Sequence, residues 1–105
     1  MKKYTFTIGL FDATTEKQEI NTSDARDIIA LTLIDTFNIF AFTCWDCSDV
    51  YRMESTGRIV REPSIRVEIA ADAEIPAAEI IAELKSKLNQ ETIMLEVADA
   101  NISFI

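Results

Sequence analysis

The chain has no histidine, and its 105 residues include only two glycines, two prolines, two cysteines and one tryptophan. Each shortage excludes something. Without histidine there is no Ser-His-Asp or Cys-His catalytic arrangement, and a zinc site loses its usual nitrogen ligand. Two glycines do not make a glycine-rich phosphate loop. So little glycine and proline also leaves no flexible linker, low-complexity tract or repeat. Long hydrophobic runs are absent too. The opening MKKYTFTIGLFDATTEK starts with two lysines, but its apolar stretch is interrupted by threonines and ends at Asp12. That is too short and too polar for a secretory leader, and nothing approaches a membrane span. Bases are scarce as well: 10 Lys and Arg stand against 18 Asp and Glu, a net charge of −8. An acidic chain is repelled by nucleic-acid backbones and by anionic membranes, so neither is an expected partner. A DNA mimic would gather its acids on one face, whereas here they are spread along the chain. The expectation is a soluble cytoplasmic protein, in a compartment where structural disulfides are rare.

What is present is a core. The apolar fraction is 49%, enough for one compact domain over residues 1–105. Tyr4, Phe6, Ile8 and Leu10 alternate with Thr5, Thr7 and Gly9, the period of a half-buried strand. Asp12 to Glu19 has no periodicity and reads as a loop with a short extended piece near Gln18–Ile20. Asn21-Thr22-Ser23-Asp24 is a helix start with several N-cap residues and an acid in the first turn, and the helix should run to about Phe37. Its middle, Ile28 to Ile34, is apolar nearly all round, which implies burial on more than one side.

Residues 40–45 form the next strand, with Phe40, Phe42 and Cys44 on one face and Ile39, Ala41, Thr43 and Trp45 on the other. Cys47-Ser48-Asp49 breaks the alternation, and Val50-Tyr51-Arg52 resumes it. Ser55-Thr56-Gly57 is a turn signal. Arg58 to Ala70 is a long extended run with Ile65, Val67 and Ile69 inward. Pro63 within it cannot donate to a ladder, so a bulge or a locally unpaired edge is expected there. Pro76 opens a second helix, with Ala77, Ile80, Ile81, Leu84 and Leu88 at helical spacing and Glu83–Lys87 as an i, i+4 pair. Ile93, Leu95 and Val97 alternate as a last strand, with a bulge expected at Ala98–Ala100. The order strand–helix–strand–strand–helix–strand predicts an α+β, ferredoxin-like βαββαβ sandwich: a four-stranded, mostly antiparallel sheet with two helices on one face. The name describes topology alone, since an iron–sulfur cluster needs about four thiolates. No cofactor or metal site is read from the sequence, and no catalytic residue is assigned.

The two cysteines form CWDC, residues 44–47. A thioredoxin-type pair places its first cysteine at a helix N-terminus. Here Cys44 lies on a strand, turn formers follow, and the charge of Asp46 opposes thiolate formation. Zinc would need a four-cysteine site shared across a dimer. The preferred reading is that Cys44 packs as a small hydrophobe and Cys47 opens a turn. Thiol redox chemistry or a dimer-bridging zinc stands behind it.

The segment after CWDC gathers Asp46, Tyr51, Arg52, Arg58, Arg61 and Glu62 into one hairpin. Arg52, Arg58 and Arg61 near Tyr51 form a possible anion site against a negative background. The competing reading pairs these arginines with the abundant acids. The stretch FTCWDCSDVYRMESTGRIVREPSIRVEI resembles a family of small bacterial proteins known as a domain of unknown function. Its pattern is LTVLDxxGxWR, a short gap, then GxIVREPSKVxxI. Thr43, Asp46, Arg52, Gly57, Ile59, Val60, Arg61, Glu62, Pro63 and Ser64 match, and Tyr51 stands for its Trp. Cys44, Asp49 and Ile65 depart from the pattern. The opening TFTIGL is also similar to the family's first strand. The resemblance implies a ferredoxin-like fold, no activity, and a shared role for Asp46, Tyr51, Arg52, Arg61 and Glu62. That role is either a site or a structural lock in which Asp46 accepts from Arg52 or Arg61.

Taken together, these readings predict a non-enzymatic, homo-oligomeric binding domain. It would use the open sheet face, with Ile39, Ala41, Thr43 and Trp45 as interface candidates, together with the 45–64 hairpin. The alternative is a small enzyme or binder of an anionic metabolite at the Arg/Tyr cluster.

Overall fold

The computed structural model describes residues 1–105, and its elements follow the expected order. They are strand β1 (Lys2–Gly9), helix α1 (Thr22–Leu31), strands β2 (Thr43–Arg52) and β3 (Ile59–Ala71), helix α2 (Ala77–Leu88) and strand β4 (Met94–Asp99). The sheet order is β2-β3-β1-β4, and every neighbouring pair is antiparallel. This is the ferredoxin-like arrangement, because each strand–helix–strand unit skips one position and the vacant place is filled by an antiparallel strand.

The core lies between the helices and one sheet face. Tyr4, Phe6, Ile8 and Leu10 come from the first strand and its exit, Ile65, Val67 and Ile69 from β3, Ala25, Ile29 and Leu33 from the first helical segment, and Ile80, Leu84 and Leu88 from α2. Asn21 caps α1 by accepting from the Asp24 N–H at 2.8 Å. Beyond Leu31 the helix widens into a π-helical turn, Thr32–Thr36. Thr32 is fully buried there and donates to the Ile28 carbonyl, while its hydroxyl accepts from Lys87 Nζ at 3.0 Å. Lys87 also forms the expected pair with Glu83, at 3.6 Å.

Several expectations are corrected. β2 starts at Thr43, not at Phe40: Phe40 is 74% exposed. Ile39, expected on the open face, packs against the core beside Phe42, and Ala41 precedes the strand. Cys47 opens no turn, because β2 runs without a break from Thr43 to Arg52. All three ladders keep a constant register, so neither Pro63 nor Ala98 sits in a bulge. The Pro63 carbonyl accepts from Leu10 N at 2.9 Å, one residue past the end of β1. In a pleated strand the nitrogen of that residue faces the same way. The missing N–H therefore falls where the β1 ladder has already ended, which is the locally unpaired edge expected there in place of a bulge, and pairing to β2 is untouched. Gly57, with φ +71°, turns the hairpin by donating to the Met53 carbonyl.

The β2–β3 hairpin outruns the rest of the sheet. β1 stops opposite Ser64, while β2 and β3 stay paired to Arg52–Ile59. A two-stranded arm therefore projects past the body, and the molecule measures 47 × 26 × 23 Å.

Candidate functional site

Strand parity sorts the hairpin residues onto two sides. Cys44 lies opposite Val67, and Asp46 opposite Ile65, so both belong to the helix side. Asp46 is held there by Arg26 of α1, whose Nη1 lies 2.7 Å from both carboxylate oxygens. The lock with Arg52 or Arg61 does not form. This contact raises the Arg26 pKa further above its usual value, through the hydrogen bond first and the charge of Asp46 second. Arg61 pairs with Val50 and Arg52 with Ile59, also on the helix side, and all four are exposed on the arm. Cys47 is opposite Ser64 on the other face, with Sγ 3.1 Å from Ser64 Oγ. The two cysteines are free. Burial pushes the Cys44 thiol up, away from the thiolate. No group of three or more His, Cys, Asp or Glu converges as a metal site.

The open face carries Thr5, Thr7 and Gly9 of β1, as the alternation predicts, beside Trp45 and Arg66. The Arg66 guanidinium lies 5.9 Å from the Trp45 ring centroid. Thr7, Arg66, Trp45 and Met94 form one row across the sheet. Within that row, Thr7 Oγ1 and Arg66 Nε are buried without hydrogen-bond partners.

Where the arm leaves the body, this face becomes concave. One cavity of about 270 Å³ lies between the arm and the Phe11–Glu16 loop, lined by Tyr51, Met53, Arg58, Val60 and Glu62 on the arm side. An adjoining cavity of about 490 Å³ continues over Thr7, Gly9, Asp49 and Met94. The two share Tyr51, Glu62, Gln90 and Thr92 and form one open trough. The far wall is pinned to the end of α2. Asn89, in the left-handed conformation, donates to Asp12 Oδ1 at 2.8 Å, and Gln90 Nε2 donates to the Phe11 carbonyl at 2.8 Å. Asp12 also accepts from the backbone N–H groups of Thr14 and Thr15. These bonds, that from Asn89 first, hold its carboxyl below its usual pKa.

The lining is acidic. Asp12, Glu16, Asp49, Glu62 and Glu91 face Arg58 as the only base. Asp49 and Glu62 stand directly opposite each other in the β2–β3 ladder, and neither has an ion-pair partner. Glu62 crosses β1 over Gly9, and its Oε2 accepts from Phe11 N–H at 2.8 Å. Tyr51 is pushed above the ordinary phenol pKa by burial first, then by the charges of Glu62, Asp49 and Glu16. It stays a protonated hydroxyl over the working pH range.

Of the six hairpin residues singled out from sequence, the fold brings Tyr51, Arg58 and Glu62 into the trough and leaves Asp46, Arg52 and Arg61 on the opposite side. Gln90, Thr92, Glu16 and Asp12 were missed as site residues because they reach the trough from loops distant in sequence. Gly9 carried a usable signal: a glycine inside an alternating strand marks a close approach by another group.

No protein-family model and no curated protein matches the chain. Solved structures do match it. A phage SAM lyase in complex with S-methyl-5'-thioadenosine is similar at TM-score 0.65 and 18% identity, covering 93% of this chain and 80% of that one. The periplasmic divalent cation tolerance protein CutA from Archaeoglobus fulgidus matches at TM-score 0.63 and 12% identity, over 99% and 88%. A DUF3240-family protein from Shewanella baltica OS155 matches at TM-score 0.54 and 11% identity, over 99% and 94%. At these identities the likeness is one of fold.

Proposed function

We propose that the protein binds a small cationic nucleoside of the S-adenosylmethionine class in the trough, turns it over there, and works as a homo-oligomer. The observation that carries this reading is the acidic lining of the trough around Tyr51, where five acids face the single base Arg58. A cation in the trough offsets that excess of negative charge, and the Tyr51 ring adds a cation–π contact. A sulfonium is such a cation, and the resemblance to a SAM lyase makes it the first one to test. In a lyase reaction of this class the carbon–sulfur bond breaks with its electron pair leaving on sulfur, while the substrate's own carboxylate closes on the carbon left behind, so that no further reactant is consumed. The sulfonium thereby becomes a neutral thioether such as S-methyl-5'-thioadenosine. Glu62 and Tyr51 are the residues we assign to the reacting end. An anionic metabolite ranks second, because Arg58 faces five acids in the trough and Arg52 and Arg61 point elsewhere.

The oligomer is supported by the open face. Exposed Trp45 and Met94 stand at the two ends of the row Trp45–Arg66–Thr7–Met94, apolar surface that a neighbouring copy would cover. We place the protein in the cytoplasm, where two free thiols stay reduced; no helix is long and apolar enough to cross a membrane.

Calorimetric titration with S-adenosylmethionine, S-adenosylhomocysteine and S-methyl-5'-thioadenosine, followed by chromatography of the products, tests the reading. The expected result is preference for the sulfonium over its neutral analogues and release of the thioether. Binding without release leaves a non-enzymatic binder. Equal or absent binding of all three rejects the reading.

A further inference from the structure

We infer that Gly9 is the positioning residue of this trough, because its missing side chain is the space in which the Glu62 carboxylate lies. The inference rests on the ligand site proposed above. A Cβ built on Gly9 would lie 2.7 Å from Glu62 Cδ and 2.9 Å from Oε1, and nearer still to Oε2. Nothing about the Gly9 backbone requires glycine, since its φ is not positive and it pairs in register with Ser64. Glycine inside a strand otherwise costs stability. The neighbourhood shows what that cost supports. β1 ends opposite Ser64, and Pro63 has no N–H to extend the ladder. The Glu62 side chain takes over by accepting from Phe11 N–H at 2.8 Å. One oxygen is fixed by that bond. Glu62 thus lines both cavities from a set position, its carboxylate turned toward β1. Any side chain at position 9 would displace the carboxylate from Phe11 and move the negative charge that Glu62 fixes in the trough.

A double-mutant cycle tests this, read by thermal unfolding and by titration. Gly9→Ala alone should lower Tm by a few degrees, because the Glu62 carboxylate must swing away and give up the Phe11 bond. Added to Glu62→Ala it should leave Tm unchanged or raise it, because the atoms it meets are gone and alanine suits a strand better than glycine. If Gly9→Ala does not fold, the double variant should, and a double variant that also fails to fold overturns the inference. In titration, Gly9→Ala should reduce the preference for S-adenosylmethionine over S-methyl-5'-thioadenosine about tenfold and leave affinity for the neutral thioether unchanged. A merely structural defect would weaken both ligands alike. Equal cost of Gly9→Ala with and without Glu62, or an unchanged ligand preference, overturns the assignment. If the wild-type protein shows no sulfonium preference, the proposed ligand falls. The Tm cycle then still decides whether Gly9 and Glu62 are coupled.

Discussion

At the scale of single residues, the chemistry that looked strongest in the sequence is divided by strand geometry. Cys44 and Cys47 are three apart on a continuous strand, so they face opposite sides of the sheet with Cα atoms roughly 10 Å apart. A disulfide needs Cα atoms within about 7 Å. Oxidation of the native protein should therefore yield no intramolecular disulfide, and both thiols should titrate under denaturing conditions after such treatment. A mass shift of two hydrogens within the monomer would contradict the register of β2. Asp46 is likewise decided by one partner. Its contact with Arg26 is exposed on both sides, 41% and 54%, and exposed ion pairs contribute little. Asp46→Asn should move Tm by no more than a few degrees, whereas Phe6→Ala in the closed core should cost about 3–5 kcal/mol in chemical denaturation.

At the scale of elements, the sheet and helices were legible because their signals are periodic. The alternation of Tyr4–Leu10 and Ile65–Ile69 and the spacing of Ile80, Leu84 and Leu88 each specify a buried face. The faces of the hairpin were less legible, because Cys47-Ser48-Asp49 has turn composition yet lies in a strand. Ladder pairing with residues 62–64 overrides local propensity there. The site was legible only in part. Tyr51, Arg58 and Glu62 lie close in sequence, but their opposing wall depends on Asp12 meeting Asn89 and Phe11 meeting Gln90, contacts of 77 and 79 residues' separation. That latch is itself pH-sensitive. The Asp12 pKa is lower folded than the 3.8 expected unfolded, so the unfolded state binds the proton more readily. Its stabilising effect is complete above about pH 4 and is lost as pH falls through the folded value. Asp12→Asn should flatten the acid limb of a Tm-versus-pH curve between about pH 4 and 2. An acid limb identical to wild type would mean that the latch does not depend on this charge.

At the scale of the whole molecule, the chain is more extended than a compact domain of its size. A monomer of 11.8 kDa is expected to expose about 5,900 Å², and this one exposes 6762 Å². Its radius of gyration is 14.6 Å, against about 13 Å for a compact domain of this length. The excess area is close to one partner's share of a standard interface, roughly 800 Å². The projecting arm accounts for the shape, and the homo-oligomer proposed above would bury part of the excess on the row Trp45–Arg66–Thr7–Met94. Light scattering at micromolar concentration should then give a multiple of 11.8 kDa, with Trp45 fluorescence shifting to the red on dilution. Trp45→Ala removes the largest apolar side chain of the row and should release monomers that keep their secondary structure. A wild-type mass equal to one chain would remove the oligomer from the proposal. The trough would then have to bind its ligand with only the walls that one chain supplies.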